Sequence, residues 1–129
     1  MKRVIKFRLW QTIWTDKDLV KMWTVESIDF KNKVYFVEGS CAGYYFKDAI
    51  LMQNIELQDK IGHFIYEGDI VQYDFDKLLY VVEYHNGAFV LRRNVSNIKR
   101  IDFTECDYGK EIEIVGNIHE NTNLLTEVY

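Results

Sequence analysis

Proline is absent from this chain of 129 residues. That excludes rigid linkers and polyproline ligand motifs, and no hinge is written into the composition. Cysteine is scarce: only Cys41 and Cys106 occur, which implies no disulfide framework and leaves a single bridge between them open. A reducing cytoplasm is the simplest compartment for such a chain. No apolar run is long enough to span a bilayer, so a membrane partner is not expected. The opening Met1-Lys2-Arg3-Val4-Ile5-Lys6 meets another charge at Arg8 instead of an unbroken apolar region, and does not read as a secretory signal. Also missing are the glycine-rich dinucleotide fingerprint, the phosphate-binding Gly-Lys-Ser/Thr loop and the Gly-x-Ser-x-Gly elbow. Ser27, Ser40 and Ser96 are the only serines, and none has a base beside it. His63, His85 and His119 show no His-x-x-x-His spacing and the cysteines no Cys-x-x-Cys, so neither a metal centre nor a cofactor is assigned. Each histidine follows or lies in a turn and is expected at the surface.

What the chain has in excess is aromatic side chains: nine Tyr, eight Phe and three Trp. Aromatics favour strands, and so many exceed what one small core can hide, which leaves some facing solvent or a partner. The formal net charge is −4 and is uneven: residues 1–40 carry eight Lys/Arg against five Asp/Glu, and residues 41–129 carry eight against fifteen. An acidic chain is a poor non-specific binder of nucleic acid, because phosphate binding runs on cationic counterion release. The first segment is nevertheless locally basic.

Strand signals dominate the chain. Ile5, Phe7 and Leu9 alternate with Lys6, Arg8 and Trp10, the period of a strand with one buried and one wet face. Thr15–Asp18 reads as a polar turn, with a helical turn possible near Asp18–Met22, and Lys21–Phe30 as a returning strand. Asn32-Lys33 turns the chain into Val34–Val37, closed by Glu38-Gly39-Ser40. Cys41–Gln53 has two readings, since Tyr44-Tyr45-Phe46 favours a strand and Lys47–Met52 a short helix. Asp59–Tyr73 holds a tight corner at Tyr66-Glu67-Gly68-Asp69, where Gly68 supplies the positive φ that a β-branched residue refuses. Ile70–Tyr73, Leu78–Tyr84 and Ala88–Arg92 read as strands. Asn86-Gly87 between the last two is a type I′ hairpin signal, since both residues tolerate positive φ. Asn94–Arg100 reads as a loop or single turn, Asp107–Lys110 as a turn, and Glu111–Ile118 as a strand with a bulge or close backbone approach at Gly116 beside Asn117. The ending Asn121–Tyr129 is a terminal helical turn or a frayed tail. The fold class expected is mainly β with little helix: an N-terminal β-meander, residues 1–50, packed with an SH3-like small barrel, residues 51–129, as two subdomains or one compact unit.

Glu67 and Asp69 flank Gly68 as paired carboxylates would for acid–base chemistry, but acids beside a turn glycine ordinarily bind backbone N–H groups, and a structural role is preferred. For nucleic acid, the case rests on Lys2, Arg3, Lys6 and Arg8 with Trp10 and Trp14, and on Arg92-Arg93 with Lys99-Arg100 after the hairpin. Cations track phosphates and aromatic faces stack bases. Against it, Lys6 and Arg8 fall on the wet face of a strand that is basic for solubility alone.

Several segments in order resemble the YopX family of small phage and prophage proteins, whose function is uncharacterised. They are Ile5-Lys6-Phe7-Arg8 with Trp10, Lys21-Met22, Leu51-Met52-Gln53, Asp59-Lys60 with Gly62, Ile65-Tyr66-Glu67-Gly68-Asp69-Ile70-Val71, and Ile114-Val115-Gly116-Asn117-Ile118 with Glu120-Asn121. The chain departs from the pattern at Asn54-Ile55-Glu56-Leu57, where Tyr-Thr-Gly-Leu is usual, and at His119 and Thr122, where Tyr and Pro are usual. Loss of that glycine implies a different corner at Glu56. The resemblance implies a β protein with an SH3-like barrel in its C-terminal half, carried by a temperate phage and acting in the bacterial cytoplasm, with no known active site. The expected role is a non-enzymatic accessory module that forms a homo-oligomer or binds a host or phage protein, with nucleic-acid binding through Lys6, Arg8, Trp10, Arg92 and Arg93 as the alternative.

Overall fold

A computed structural model describes residues 6–13, 21–41 and 43–129. Lys2, Arg3, Ile5, Trp14 and the turn at Thr15–Asp18 lie outside the described residues. The chain divides into two compact units, Met1–Gln53 and Asn54–Tyr129, with the boundary inside a long strand, β5 (Ala49–Gln58).

The first unit is an antiparallel sheet of β1 (Phe7–Gln11), β2 (Met22–Asp29), β3 (Val34–Val37), β4 (Gly43–Tyr45) and the first half of β5, in the order β4-β3-β2-β1-β5. The expected meander is present as β1 to β4, and β5 returns along the far side of β1. Of the two readings of residues 41–53 the strand holds. A single 3-10 turn, Phe46–Asp48, leads into β5, whose Ala49–Gln53 pair one for one with Gln11–Phe7. Pairing with β1 overrides the helical preference of Lys47–Met52, as tertiary context routinely overrides propensity.

Cross-strand pairs share a face, so the register sorts the side chains. Leu9 opposes Trp23 and Leu51, Val25 opposes Val37, and Tyr35 opposes Ile28 and Tyr44. These, with Ala49 and Phe46, are the core of the unit. Phe46 stacks on Tyr35 at 4.4 Å between ring centres. The opposite face carries Arg8, Trp10, Thr24, Ile50, Met52, Phe36 and Tyr45.

The second unit contains the rest of β5, β6 (Phe64–Tyr66), β7 (Asp69–Tyr73), β8 (Leu79–His85), β9 (Ala88–Asn94), β10 (Ile98–Asp102) and β11 (Ile112–Asn117). β5 pairs with β6, and the other five form a sheet ordered β10-β9-β8-β7-β11. The mainly β fold is as expected. The closed SH3-like barrel is not: the sheets remain open, and β11 meets the β5–β6 loop through the Asp59 carboxylate and a single main-chain bond instead of a strand ladder. One face of the five-stranded sheet buries Tyr80, Val82 and Leu91 with Ile65, Cys106 and Ile112. On the other, Ile70, Val81 and Val128 pack with Leu124 and Leu125.

Asn86 and Gly87 have φ of 49° and 85°, the two positive values a type I′ hairpin needs. The segment expected as a loop, Asn94–Arg100, is largely strand, with β9 running to Asn94 and β10 starting at Ile98, because Arg92 and Arg100 pair across the ladder and share Glu83. The C-terminus is docked rather than frayed. Val128 is fully buried at the end of a 3-10 turn, Thr122–Glu127, and its carbonyl accepts from Asn94 N at 2.8 Å.

Candidate functional site

The sequence motifs turn out to be backbone clamps. At the corner, Gly68 has φ of 88° and Asp69, 2% exposed, accepts from Tyr66 N at 2.8 Å. Gly68 N donates to Val82 O, and Gly68 O accepts from Ile118 N, so Tyr66-Glu67-Gly68-Asp69 ties three segments together. Val115 is the extra residue of the bulge before Gly116. A Cβ on Gly116 would meet Asn121 Oδ1 at 2.4 Å, and that oxygen accepts from Asn117 N while Asn117 Oδ1 accepts from His119 N and Glu120 N. The corner at Glu56 survives the loss of glycine: Glu56 itself takes φ of 67°, and its N–H donates to the buried Asn54 side chain at 2.7 Å.

Asp59 was named in the sequence only as part of a turn, and it does much more. Its carboxylate is 3% exposed and accepts three backbone donors, Ile61 N and His63 N on Oδ1 and Ile114 N on Oδ2, at 2.9 to 3.1 Å. Lys60 N adds a bond to Ile112 O. The outer edge of β11 is thus occupied by the β5–β6 loop. Nothing in the spacing of Asp59 announces this, since Ile114 is 55 residues away.

Where a strand edge lies open decides where another chain can add. In the second unit β11 is capped by Asp59 and Lys60, the last N–H of β6 is taken by Asp69, and β10 carries Lys99 and Arg100, the charges that discourage edge pairing. In the first unit β4 is the outer strand at one side, and it holds no proline, charge or bulge. Phe46 N donates to Lys33 O, and bonded pairs alternate along an antiparallel ladder. Tyr44 therefore bonds to β3, and Gly43 and Tyr45 turn their N–H groups outward. A side chain at Gly43 would crowd its neighbours, because a Cβ would lie 2.8 Å from Val34 Cγ1 and 3.3 Å from Phe36, and Val34 would have to shift. Beside this edge, on the face away from the core, Phe36 is 41% and Tyr45 58% exposed.

At the end of β4 a hollow of about 240 Å³ is lined by Asn32, Lys33, Tyr45, Phe46 and Lys47. Lys47 Nζ lies 5.9 Å from the Tyr45 ring centre, and Phe30, three-quarters exposed, meets Phe46 edge-on. The Asp29 carboxylate is turned into the adjacent turn, where hydrogen bonds from the Asn32 backbone and then its side chain hold it below the usual carboxylate range. Two lysines beside aromatic rings suit one anionic, planar group.

The residues singled out for nucleic acid are divided between the two units. Arg8 and Trp10 are half-buried on the non-core face of the first unit, and Lys6 is exposed just before β1. Arg92 and Arg93 belong to the second unit and are engaged: Arg92 bonds to Glu83 and lies 4.5 Å over the Tyr129 ring, while Arg93 donates to Leu79 O and Glu127 O. They hold the C-terminal segment. Lys99 pairs with Asp76 and Arg100 with Glu83.

Cys41 is exposed, Cys106 is fully buried, and both are free thiols. Burial pushes the Cys106 thiol above its ordinary value, which suppresses its thiolate. His63 is exposed, and His85 and His119 are half-buried. Among the described residues no group of three or more His, Cys, Asp or Glu is arranged to hold a metal, and no helix is long and apolar enough to cross a membrane.

Two antiparallel sheets, with the buried Asp59 and Asp69 clamping backbone in the second unit and exposed aromatics beside the outer edge of β4 in the first, define an all-β protein. The chain belongs to the YopX protein family, whose model matches residues 6–126. Its fold is also similar to that in the crystal structure of protein EF1440 from Enterococcus faecalis, at 22% identity and a TM-score of 0.57, over 96% of this chain and 99% of that one. No curated protein matches the chain.

Proposed function

We propose that the protein is a non-enzymatic, self-associating interaction module, serving as a phage or prophage accessory in the bacterial cytoplasm through contacts with its own copies and with host or phage proteins. The observation that carries this reading is the outer edge of β4, which no strand covers among the described residues, with Phe36 and Tyr45 exposed beside it. Apolar groups next to an unpaired strand edge gain by adding another chain, since both main-chain bonds and buried area result. Light scattering on a sizing column at low and high salt tests it. A defined multimer that persists in high salt supports apolar and main-chain contacts, and a monomer at both salts refutes them.

A second reading, nucleic-acid binding, is favoured by the hollow between Lys33 and Lys47. The unit that holds it carries nine Lys/Arg against six Asp/Glu, while residues 54–129 carry seven against fourteen. A single strand would place a phosphate between the lysines and a base against Tyr45. Labelled oligonucleotides in the same sizing run separate the readings. Co-migration lost at high salt supports nucleic acid, and oligonucleotides left wholly in the free peak remove it.

A further inference from the structure

We infer that β4 pairs antiparallel with β4 of a second copy about a two-fold axis through Tyr44, an inference that rests on the self-association proposed above and names its surface. Centring the pairing on Tyr44 puts Gly43 opposite the partner's Tyr45 and Tyr45 opposite the partner's Gly43. The phase of the hydrogen bonds allows it: the Tyr44 pair with β3 is the bonded one, so the N–H groups of Gly43 and Tyr45 point to the free edge. Each Tyr45 N–H then donates to the Gly43 carbonyl of the other copy and each Gly43 N–H to the Tyr45 carbonyl, and the four bonds form by one symmetry operation, as an isologous contact requires.

The side chains are self-complementary in the same register. Gly43 leaves a bare patch of backbone flanked by Val34 and Phe36, and the Tyr45 ring, 58% exposed, comes across the axis to cover the partner's patch. An aromatic placed opposite an edge glycine is a known stabilising pair in sheets. On the core face the two half-buried Tyr44 rings meet at the axis as a close, non-bonded pair, extending the cluster in which Tyr44 packs 6.1 Å from Trp23. No like charges oppose one another: Cys41 to Lys47 contains one cation, Lys47, and it falls opposite the partner's Cys41. The other strand edges of the described residues offer no equivalent, being capped by Asp59 and Lys60, bonded to Asp69 or guarded by Lys99 and Arg100.

Residue-resolved amide hydrogen exchange over a concentration series of the full chain is the test, read beside the solution mass. As the mass rises with concentration, the Gly43 and Tyr45 amides are expected to slow about tenfold or more, while Tyr44, already bonded to β3, changes little. A multimer in which Gly43 and Tyr45 exchange at a concentration-independent rate overturns the β4 pairing and leaves self-association standing on another surface. A monomer at every concentration overturns both. Tyr45→Pro gives the second reading. Tyr45 has φ of −65°, the value proline fixes, and its N–H is not used by β3, so the fold is retained while two of the four intermolecular bonds are lost. Tyr45→Thr keeps the N–H and is expected to associate more strongly than Tyr45→Pro. Equal association of the two variants, with matching circular dichroism, refutes main-chain pairing at this edge.

Discussion

Replacing Asp59 with alanine strands three backbone donors. Ile114 N lies in the ladder region of β11, where water does not readily replace the lost carboxylate, so its bond to a charged acceptor is worth about 2 to 3 kcal/mol. Ile61 N and His63 N lie in an exposed loop, where water substitutes, and each contributes about 0.5 to 1 kcal/mol. Asp59→Ala is therefore expected to cost about 4 kcal/mol, a large part of the stability of a small domain. Asp59→Asn keeps an oxygen for the two loop donors but sets an NH₂ against Ile114 N, and is expected to cost about 2 kcal/mol. Urea unfolding followed by far-UV circular dichroism reads both, as a lowered midpoint with an unchanged slope. A loss below about 1 kcal/mol for alanine, or an asparagine variant as stable as the parent, would refute the clamp.

Other substitutions test separate pieces of the structure. Glu56→Gly relieves a left-handed non-glycine residue at φ of 67° and is expected to raise stability by about 0.5 to 1 kcal/mol in the same urea assay. At Asp76, burial works against the charged form, but bonds from Tyr80 Oη and Leu78 N and the charge of Lys99 outweigh it and hold the carboxyl below its ordinary 3.8. A carboxyl depressed by folding stabilises above its unfolded pKa and loses that stabilisation as pH falls through its folded value. Tyr80→Phe is thus expected to cost about 1 to 2 kcal/mol at neutral pH, with the difference from the parent shrinking as pH drops below 3.8 in a pH series of urea midpoints. Arg93→Ala removes a charged donor from Leu79 O and Glu127 O, and is expected to lower the stability read by urea unfolding by about 1 to 2 kcal/mol and to speed exchange at Val128, without changing oligonucleotide retention.

Much of the scaffold is legible in the residues where local chemistry decides. Val34–Val37 is a strand as read, Asn86-Gly87 turns the hairpin through the positive φ values those residues tolerate, Gly68 sits left-handed at its corner, and the bulge falls at Val115, beside Gly116. What escaped the sequence depends on partners distant along the chain. Lys47–Met52 has helical character, yet only Lys47 and Asp48 lie in a 3-10 turn, and Ala49–Met52 becomes strand because β1 lies alongside. The Asn94–Arg100 segment looks polar, yet its one arginine, Arg100, shares Glu83 with Arg92 across a ladder that composition does not show. Barrel closure was expected from the number of short strands. The register that leaves β11 capped by the Asp59 carboxylate is a property of packing. The candidate site was the least legible. Arg92 and Arg93 look like a free basic pair and are spent on Glu83 and the C-terminal carbonyls, whereas the open edge at Gly43–Tyr45 reads in sequence as an ordinary aromatic strand. Gly43, standing directly before two tyrosines, was the available signal for that edge, because glycine in a strand marks close approach of another backbone.

Self-association is the claim on which the functional reading depends, and sedimentation equilibrium of the unmodified chain in high salt tests it most directly. Over a range of loading concentrations the weight-average mass is expected to climb from 15.5 kDa toward a fixed integer multiple, with one association constant fitting all speeds. A mass that stays at 15.5 kDa at every concentration would contradict it.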